Sequence, residues 1–329
     1  MTADDLRFLM VHDNDGFNRW EAGQTYALRV MDDLLDAQES GADTSPPAVF
    51  LDSYGTLLEQ AFAPETDKAL LARMLSLPDV SVIGQQRRTV DPTAIHRVRE
   101  QIKTAITAQS RDLIARVYQE NRTNGPFGVD PDSMARRALQ NVALEYLDDP
   151  ALAKAHYDQA NNMTDRIAAL GILGDIPDSD EGQSLRDDAF GDFYRRFKAY
   201  PLVIDKWFAR QAMAVRPDTV QDVRRLKDHP DFIMTNPNRV RSLFAAFAMN
   251  NPVCFHAPGG SGYDFLTEAI VALNTINPQI AARLLTPFKE WRRYTPDRQE
   301  KMKTCLERIR DLPDLSPDVF EIVEKSLNA

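Results

Sequence analysis

A small polar residue followed by proline recurs along this chain, and it limits the fold more than any other feature. It appears at Asp91-Pro92, Asp130-Pro131, Asp149-Pro150, Asn236-Pro237, Asn251-Pro252, Asn277-Pro278 and Ser316-Pro317. The polar side chain can accept hydrogen bonds from the first N–H groups of a helix. Proline suits the first helical position because its missing N–H would be unpaired there. Each dipeptide therefore reads as a helix start. Apolar residues follow at helical spacing. Across residues 91–122 they fall at Ile95, Val98, Ile102, Ile106, Leu113, Ile114, Val117 and Tyr118, one stripe of a single helix. Asn124-Gly125-Pro126 ends that run.

The remaining periodicity predicts helices over residues 133–147, 150–157, 185–199, 201–214, 238–249, 263–274, 278–290, 297–310 and 317–327. Another is capped by Thr164 and weakened at its end by Gly171 or Gly174. Val80-Ser81-Val82-Ile83 is β-prone but short, and reads as a loop or a capped edge. Helices of about 10 to 15 residues joined by short turns cannot each bury an apolar face alone, whereas stacked pairs can. The expected fold is all-α: a superhelical array of antiparallel helix pairs of the HEAT/armadillo type, with an irregular helical bundle as the alternative. Residues 1–90 are expected to form an N-terminal bundle portion and residues 91–329 the array. The Ser/Gly/Pro-rich residues 41–47 read as a surface loop.

Composition narrows the function. Hydrophobic residues make up 43% and charged residues 27% of the 329, a globular mixture. The net charge of -10 disfavours nucleic acid and anionic membrane as partners. The N-terminal segment has no basic stretch before an apolar run, and no stretch has 18 uncharged apolar residues. A cytoplasmic location is the expectation. Cys254 and Cys305 read as core side chains in a reducing compartment. The five histidines are scattered and no HExxH is present. There is no GxSxG elbow, and the glycines at 259, 260 and 262 lack the GKS or GKT of a P-loop. They read as a loop between helices, with N–H groups able to meet an anion.

Several local groups carry polar chemistry. Arg239 and Arg241 stand in the first turn of a helix, where cations oppose the dipole. Pairing with carboxylates inside the chain or with an outside acidic ligand resolves this. Trp207 and Phe208 read as core. Residues 161–165, Asn-Asn-Met-Thr-Asp, read as a capped junction. Trp291, Arg292, Arg293 and Tyr294, with Arg298, Lys301 and Lys303, read as a solvated basic face.

Longer blocks carry a family resemblance. These are FLMVHDNDGFNRWEAGQ near the start, HYDQANNMTDRIAAL, DKWF at 205–208, and the stretch from NPNRVRSLFAAFAMNNPVCFHAPGG to TPDRQEKM over residues 236–302. In order and position they resemble the C-terminal helical domain (domain IV) of the bacterial aminopeptidase N type of M1 zinc metallopeptidase, over essentially the whole chain. The resemblance implies a domain that caps a catalytic domain and restricts peptide access to it. It implies Zn2+ in that other domain and no cofactor, metal ligand or catalytic residue here. By motif, Arg241 in NRVRS and Arg283 in PQIAARL are implied to line the substrate cavity. The implied partners are the catalytic and N-terminal domains of the same enzyme and the termini of peptide substrates. Met1 before Thr2 reads as the start of an expressed fragment or an alternative product. An independent HEAT-like scaffold that binds a protein or peptide without hydrolysis is the alternative function. An autonomous enzyme would need a convergent acid/base cluster that no spacing supplies.

Overall fold

The structure, a computed structural model, describes residues 1–42, 44–123, 125–177 and 180–328. Every polar-Pro dipeptide opens a helix. The Asp130 carboxylate accepts the Ser133 N–H at 2.9 Å, Asp149 that of Leu152 at 3.0 Å, and Asn277 that of Ile280 at 3.1 Å. Such caps contribute about 1 kcal/mol each.

The chain splits into two compact units, Met1–Gln86 with Ala94–Leu173, and Arg87–Thr93 with Gly174–Ala329. The first contains α1 (Ala3–His12), α2 (Gly16–Ser40), α3 (Ala48–Gln60), α4 (Lys68–Leu75), α5 (Val80–Gln86), most of α6 (Pro92–Glu120), α7 (Pro131–Leu147), α8 (Pro150–Gln159) and most of α9 (Met163–Asp175). Helix α1 packs on α2 and α3, and α4 packs on α2, α3 and α7. Tyr26, Phe50 and Tyr54 form a ring cluster with centroids 5.1 Å apart at each step. Ile102, Ile106, Ile114 and Val117 supply the buried stripe of α6. Each such side chain contributes about 1.5–3 kcal/mol by leaving water.

The second unit continues with α10 (Asp180–Phe197), α11 (Pro201–Ala212), α12 (Thr219–Lys227), α13 (Pro237–Val240), α14 (Ala246–Asn250), α15 (Pro252–Phe255), α16 (Ser261–Ile276), α17 (Pro278–Leu284), α18 (Pro296–Arg310) and α19 (Pro317–Asn328). Sequence neighbours pack as pairs, α16 on α17 and α18 on α19. The pairs then stack, α16 on α18 and α17 on α19. That is the repeat logic expected from helices too narrow to bury themselves. A continuous row of rings fills the core: Phe208, Phe232, Phe244, Phe265, Phe247 and Phe255, each within 6.0 Å of the next. Among the described residues there is no strand, only a single bridge between Val90 and Tyr294.

The structure corrects several local expectations. The β-prone run at Val80 is helix α5. Its Val82 and Ile83 N–H groups bond to the Asp79 carbonyl, and Ile83 is buried, so with no partner strand the backbone satisfies itself locally. Helix α6 is not straight: Ser110 has φ -125° and ψ 19°. The cap of α9 is Asn162, whose Oδ1 accepts the Asp165 N–H at 3.0 Å, not Thr164. Helix α9 runs to Asp175, one residue past Gly174. The expected helix over residues 278–290 stops at Leu284 and continues as a 3-10 turn, Thr286–Phe288. Asn124, part of the expected stop after α6, and Asp43, inside the expected loop 41–47, lie outside the described residues. Among the described residues, no helix is long and apolar enough to cross a membrane.

Candidate functional site

The stretch from Asn236 to Tyr263 is the least regular part of the second unit. Asn236 Oδ1 accepts the Asn238 N–H at 3.0 Å and starts α13. The helix then widens into a π segment, Arg241–Ala245, in which the Ala246 N–H reaches the Arg241 carbonyl. Such widened turns are rare and occur often at functional sites. After α15, Gly260 takes φ 77°, a left-handed conformation that glycine adopts without strain. Gly262 sits against the preceding backbone, and a Cβ there would lie 2.4 Å from the Phe255 carbonyl oxygen.

The two early arginines have different surroundings. Arg239 is buried. Its Nη1 lies 3.3 Å from Asp205 Oδ1 and its guanidinium 4.8 Å from the centre of the Phe208 ring. Trp207 donates from Nε1 to the Phe190 carbonyl at 2.9 Å, so DKWF is a core element. Arg241, at the first residue of the π segment, is exposed. Its Nη1 donates to a neutral group, Asn238 Oδ1, at 3.1 Å. Arg283 is an exposed residue of α17. Among the described residues neither Arg241 nor Arg283 forms an ion pair, and no hydrogen bond joins the two.

The basic run is only in part a solvated face. Arg298 is 4% exposed and fully engaged. It donates to the His256 carbonyl at 2.8 Å and to the Thr295 and Thr93 hydroxyls at 2.9 Å, and it lies 3.2 Å from Asp91. Trp291 and Arg292 both donate to the Ser326 carbonyl at 2.9 Å, and Arg292 also to Leu327, at the C-terminal end of α19. Cations are favourable at that end of a helix dipole. Arg293 reaches the Arg87 carbonyl at 2.9 Å. The charge that suggested a surface patch joins helix ends instead. Arg292 and Lys303 are exposed and Arg293 and Lys301 half-buried, the two lysines near Asp297 and Glu307.

His256 is buried, bonded through Nδ1 to Tyr263 at 2.9 Å and stacked 4.1 Å from the Tyr294 ring. Burial, aided by the Arg298 charge, lowers its pKa to about 3, so the imidazole is neutral at ordinary pH. Cys254 is buried beside the Ala214 and Arg216 carbonyls, and burial pushes its thiol up. These two side chains are thus committed to core contacts and do not fit a zinc site. Among the described residues no group of three or more His, Cys, Asp or Glu could hold a metal ion.

A cleft of about 420 Å3, unseen in the sequence, lies in the second unit between Gly174, Arg186, Phe190, Arg216, Asp222 and His229. Asp222 is bridged there by Arg216 and Arg225. Arg186 donates to the Ile176 carbonyl at 3.0 Å, just past the end of α9. Its charges act on one another, and its lining ties helix ends together.

Comparison with known proteins fits this architecture. A family model described as "Domain of unknown function (DUF3458_C) ARM repeats" matches residues 3–328. Aminopeptidase N of Caulobacter vibrioides is 39% identical over 333 residues, covering 98% of this chain and 37% of that protein. Aminopeptidase N of Escherichia coli is 34% identical with the same coverage. That of Haemophilus influenzae is 36% identical, covering 98% of this chain and 36% of its own length. The crystal structure of Legionella pneumophila aminopeptidase A in complex with aspartic acid matches with a TM-score of 0.88 at 26% identity, over 100% of this chain and 39% of that one. The chain spans little more than a third of the length of the curated relatives it matches. It belongs to the DUF3458_C family of ARM-repeat domains and is the C-terminal domain of an aminopeptidase N-like enzyme.

Proposed function

We propose that this domain is a non-catalytic cap that controls peptide access to the active site of a zinc aminopeptidase, and that Arg241 and Arg283 line the substrate cavity. The observation that carries the reading is the exposed guanidinium of Arg241, with no carboxylate partner among the described residues, beside an Arg239 already neutralised in the core. A guanidinium so placed is suited to a peptide carboxylate, which it grips through two parallel hydrogen bonds. A stacked-helix surface that covers a metal site limits entry by size and excludes water when closed. In this reading the zinc ion and the residues that hold it lie outside this chain. The enzyme as a whole releases N-terminal residues from peptides, in the cytoplasm, and the cap docks on its catalytic and N-terminal domains.

The test is steady-state kinetics of the whole enzyme with Arg241→Ala and Arg283→Ala, numbered as in this chain. A short peptide with a free C-terminal carboxylate should lose kcat/KM by about tenfold, the scale of one charge-assisted hydrogen bond. An alanyl anilide, which has no such carboxylate, should be unaffected. Equal loss on both substrates, or no loss on either, contradicts the assigned role of the two arginines.

A further inference from the structure

The polar junction at residues 161–165 borders a pocket of about 270 Å3, all of whose lining belongs to the first unit. A buried histidine and a buried aspartate line it. His156 is 6% exposed and Asp165 5%. His156 Nδ1 shares a hydrogen bond with the Tyr118 hydroxyl at 3.0 Å. Among the described residues His156 Nε2 has no hydrogen-bond partner, and it lies 4.0 Å from Asp165 Oδ1, too far for a direct bond.

Asp165 is held by neutral groups. Asn141 Nδ2 donates to Oδ1 at 3.0 Å and Asn162 Nδ2 to Oδ2 at 2.7 Å. Among the described residues no lysine or arginine pairs with this carboxylate. Also lining the pocket, Arg122 donates to Gln159 Oε1 at 2.7 Å and to Gln119 Oε1 at 3.4 Å, and pairs with no carboxylate among the described residues. Among the described residues the pocket therefore presents a negative group without a cation and a positive group without an anion. An isolated buried carboxylate such as Asp165 is costly, and a buried orphan ring nitrogen adds to that cost.

We propose that this pocket binds the ammonium group of a small amino acid or of a peptide N-terminus. Nε2 is closed to solvent here, so the ring turns slightly toward the pocket to let one nitrogen lie about 2.8 Å from both His156 Nε2 and Asp165 Oδ1 and bridge their separation. The ammonium donates one hydrogen to Asp165 and another to Nε2. For that, the imidazole takes the tautomer with its hydrogen on Nδ1, donating to the Tyr118 oxygen. The Tyr118 hydroxyl hydrogen is then free to turn toward the ligand, and the Arg122 fork offers a place for a carboxylate. Burial lowers the His156 pKa, partly opposed by Asp165, so the ring is available as a neutral acceptor. The volume falls below the range of about 300–1,000 Å3 typical of drug-sized ligands, which favours a single amino-acid unit. This inference does not depend on the gating role proposed above.

Isothermal titration calorimetry of the chain at neutral pH, with four probes, tests it. L-alanine should bind, alaninamide should bind more weakly for want of the carboxylate, and N-acetylalanine should not bind. Alanyl-alanine distinguishes the sources: affinity equal to that of alanine identifies a peptide N-terminus, and much weaker binding identifies the free amino acid. Asp165→Asn should lower alanine affinity by at least about tenfold. Because Asp165 is buried, Arg122→Gln, a less buried position, provides the second arm. It should weaken alanine several-fold and leave alaninamide unchanged. N-acetylalanine binding as tightly as alanine, no heat with any probe at about 50 mM, or unaltered alanine affinity in a folded Arg122→Gln protein overturns the proposal.

Discussion

Arg239 and Asp205 form a buried ion pair, 3.3 Å from Nη1 to Oδ1, with side-chain exposures of 6% and 17%. The Phe208 ring lies against the guanidinium, 4.8 Å from centre to carbon. Two residues further on, Arg241 points a similar group at solvent. The same residue type at nearly the same place thus holds the fold together in one case and is exposed in the other.

Removing one half of the buried pair leaves an uncompensated charge in the core. Asp205→Ala should destabilise the chain by about 3–5 kcal/mol. Arg241→Ala should change stability by no more than about 0.5 kcal/mol. Urea unfolding measures both. Similar losses for the two variants would contradict the division of roles.

The glycine loop yields a graded series. A Cβ at Gly262 would meet the Phe255 backbone at 2.4 Å, so Gly262→Ala forces main-chain movement and should cost about 1–3 kcal/mol or more. Gly260→Ala keeps its positive φ of 77° and should cost about 1–2 kcal/mol. Gly259 has nothing within 4 Å of its would-be Cβ, so Gly259→Ala should be neutral or slightly stabilising. Denaturation midpoints should fall in that order.

His256 makes stability pH-dependent. Its folded pKa of about 3 lies below the unfolded value of about 6.5, because burial disfavours the charged ring. The unfolded chain therefore takes up the proton first. The contribution is complete above about pH 6.5 and is lost as pH falls toward about 3. His256→Gln removes this dependence, so the stability gap between native chain and variant should narrow between about pH 7 and pH 4. Unfolding free energies at a series of pH values would show it, and a constant gap would refute it.

Features set by neighbouring residues were readable in the sequence. The polar-Pro starts predicted real caps because the capping side chain and its N–H partners lie within three residues of one another. What depended on distant partners was not readable. The kink at Ser110, the π segment beginning at Arg241 and the burial of Arg298 have no local signature. Arg298 looked solvent-facing because its partners His256 and Thr93 lie far away in the sequence. The junction at residues 161–165 was legible as a cap, and Asn162 is one. Its pocket was not, because Tyr118 and Gln140 come from other helices. Val80 to Ile83 misled because β-branched side chains suit strands only where a neighbouring strand exists to pair with.

The central claim is that this domain gates a reaction whose chemistry lies elsewhere. Zinc-supplemented hydrolysis of an alanyl chromogenic substrate tests it most directly. Three samples are compared: this chain, the portion by which its longer relatives exceed it, and the two together. The account predicts no turnover by this chain alone, and activity or altered peptide-size selectivity when both are present. Metal-dependent turnover by the purified chain, proportional to its concentration, would contradict it.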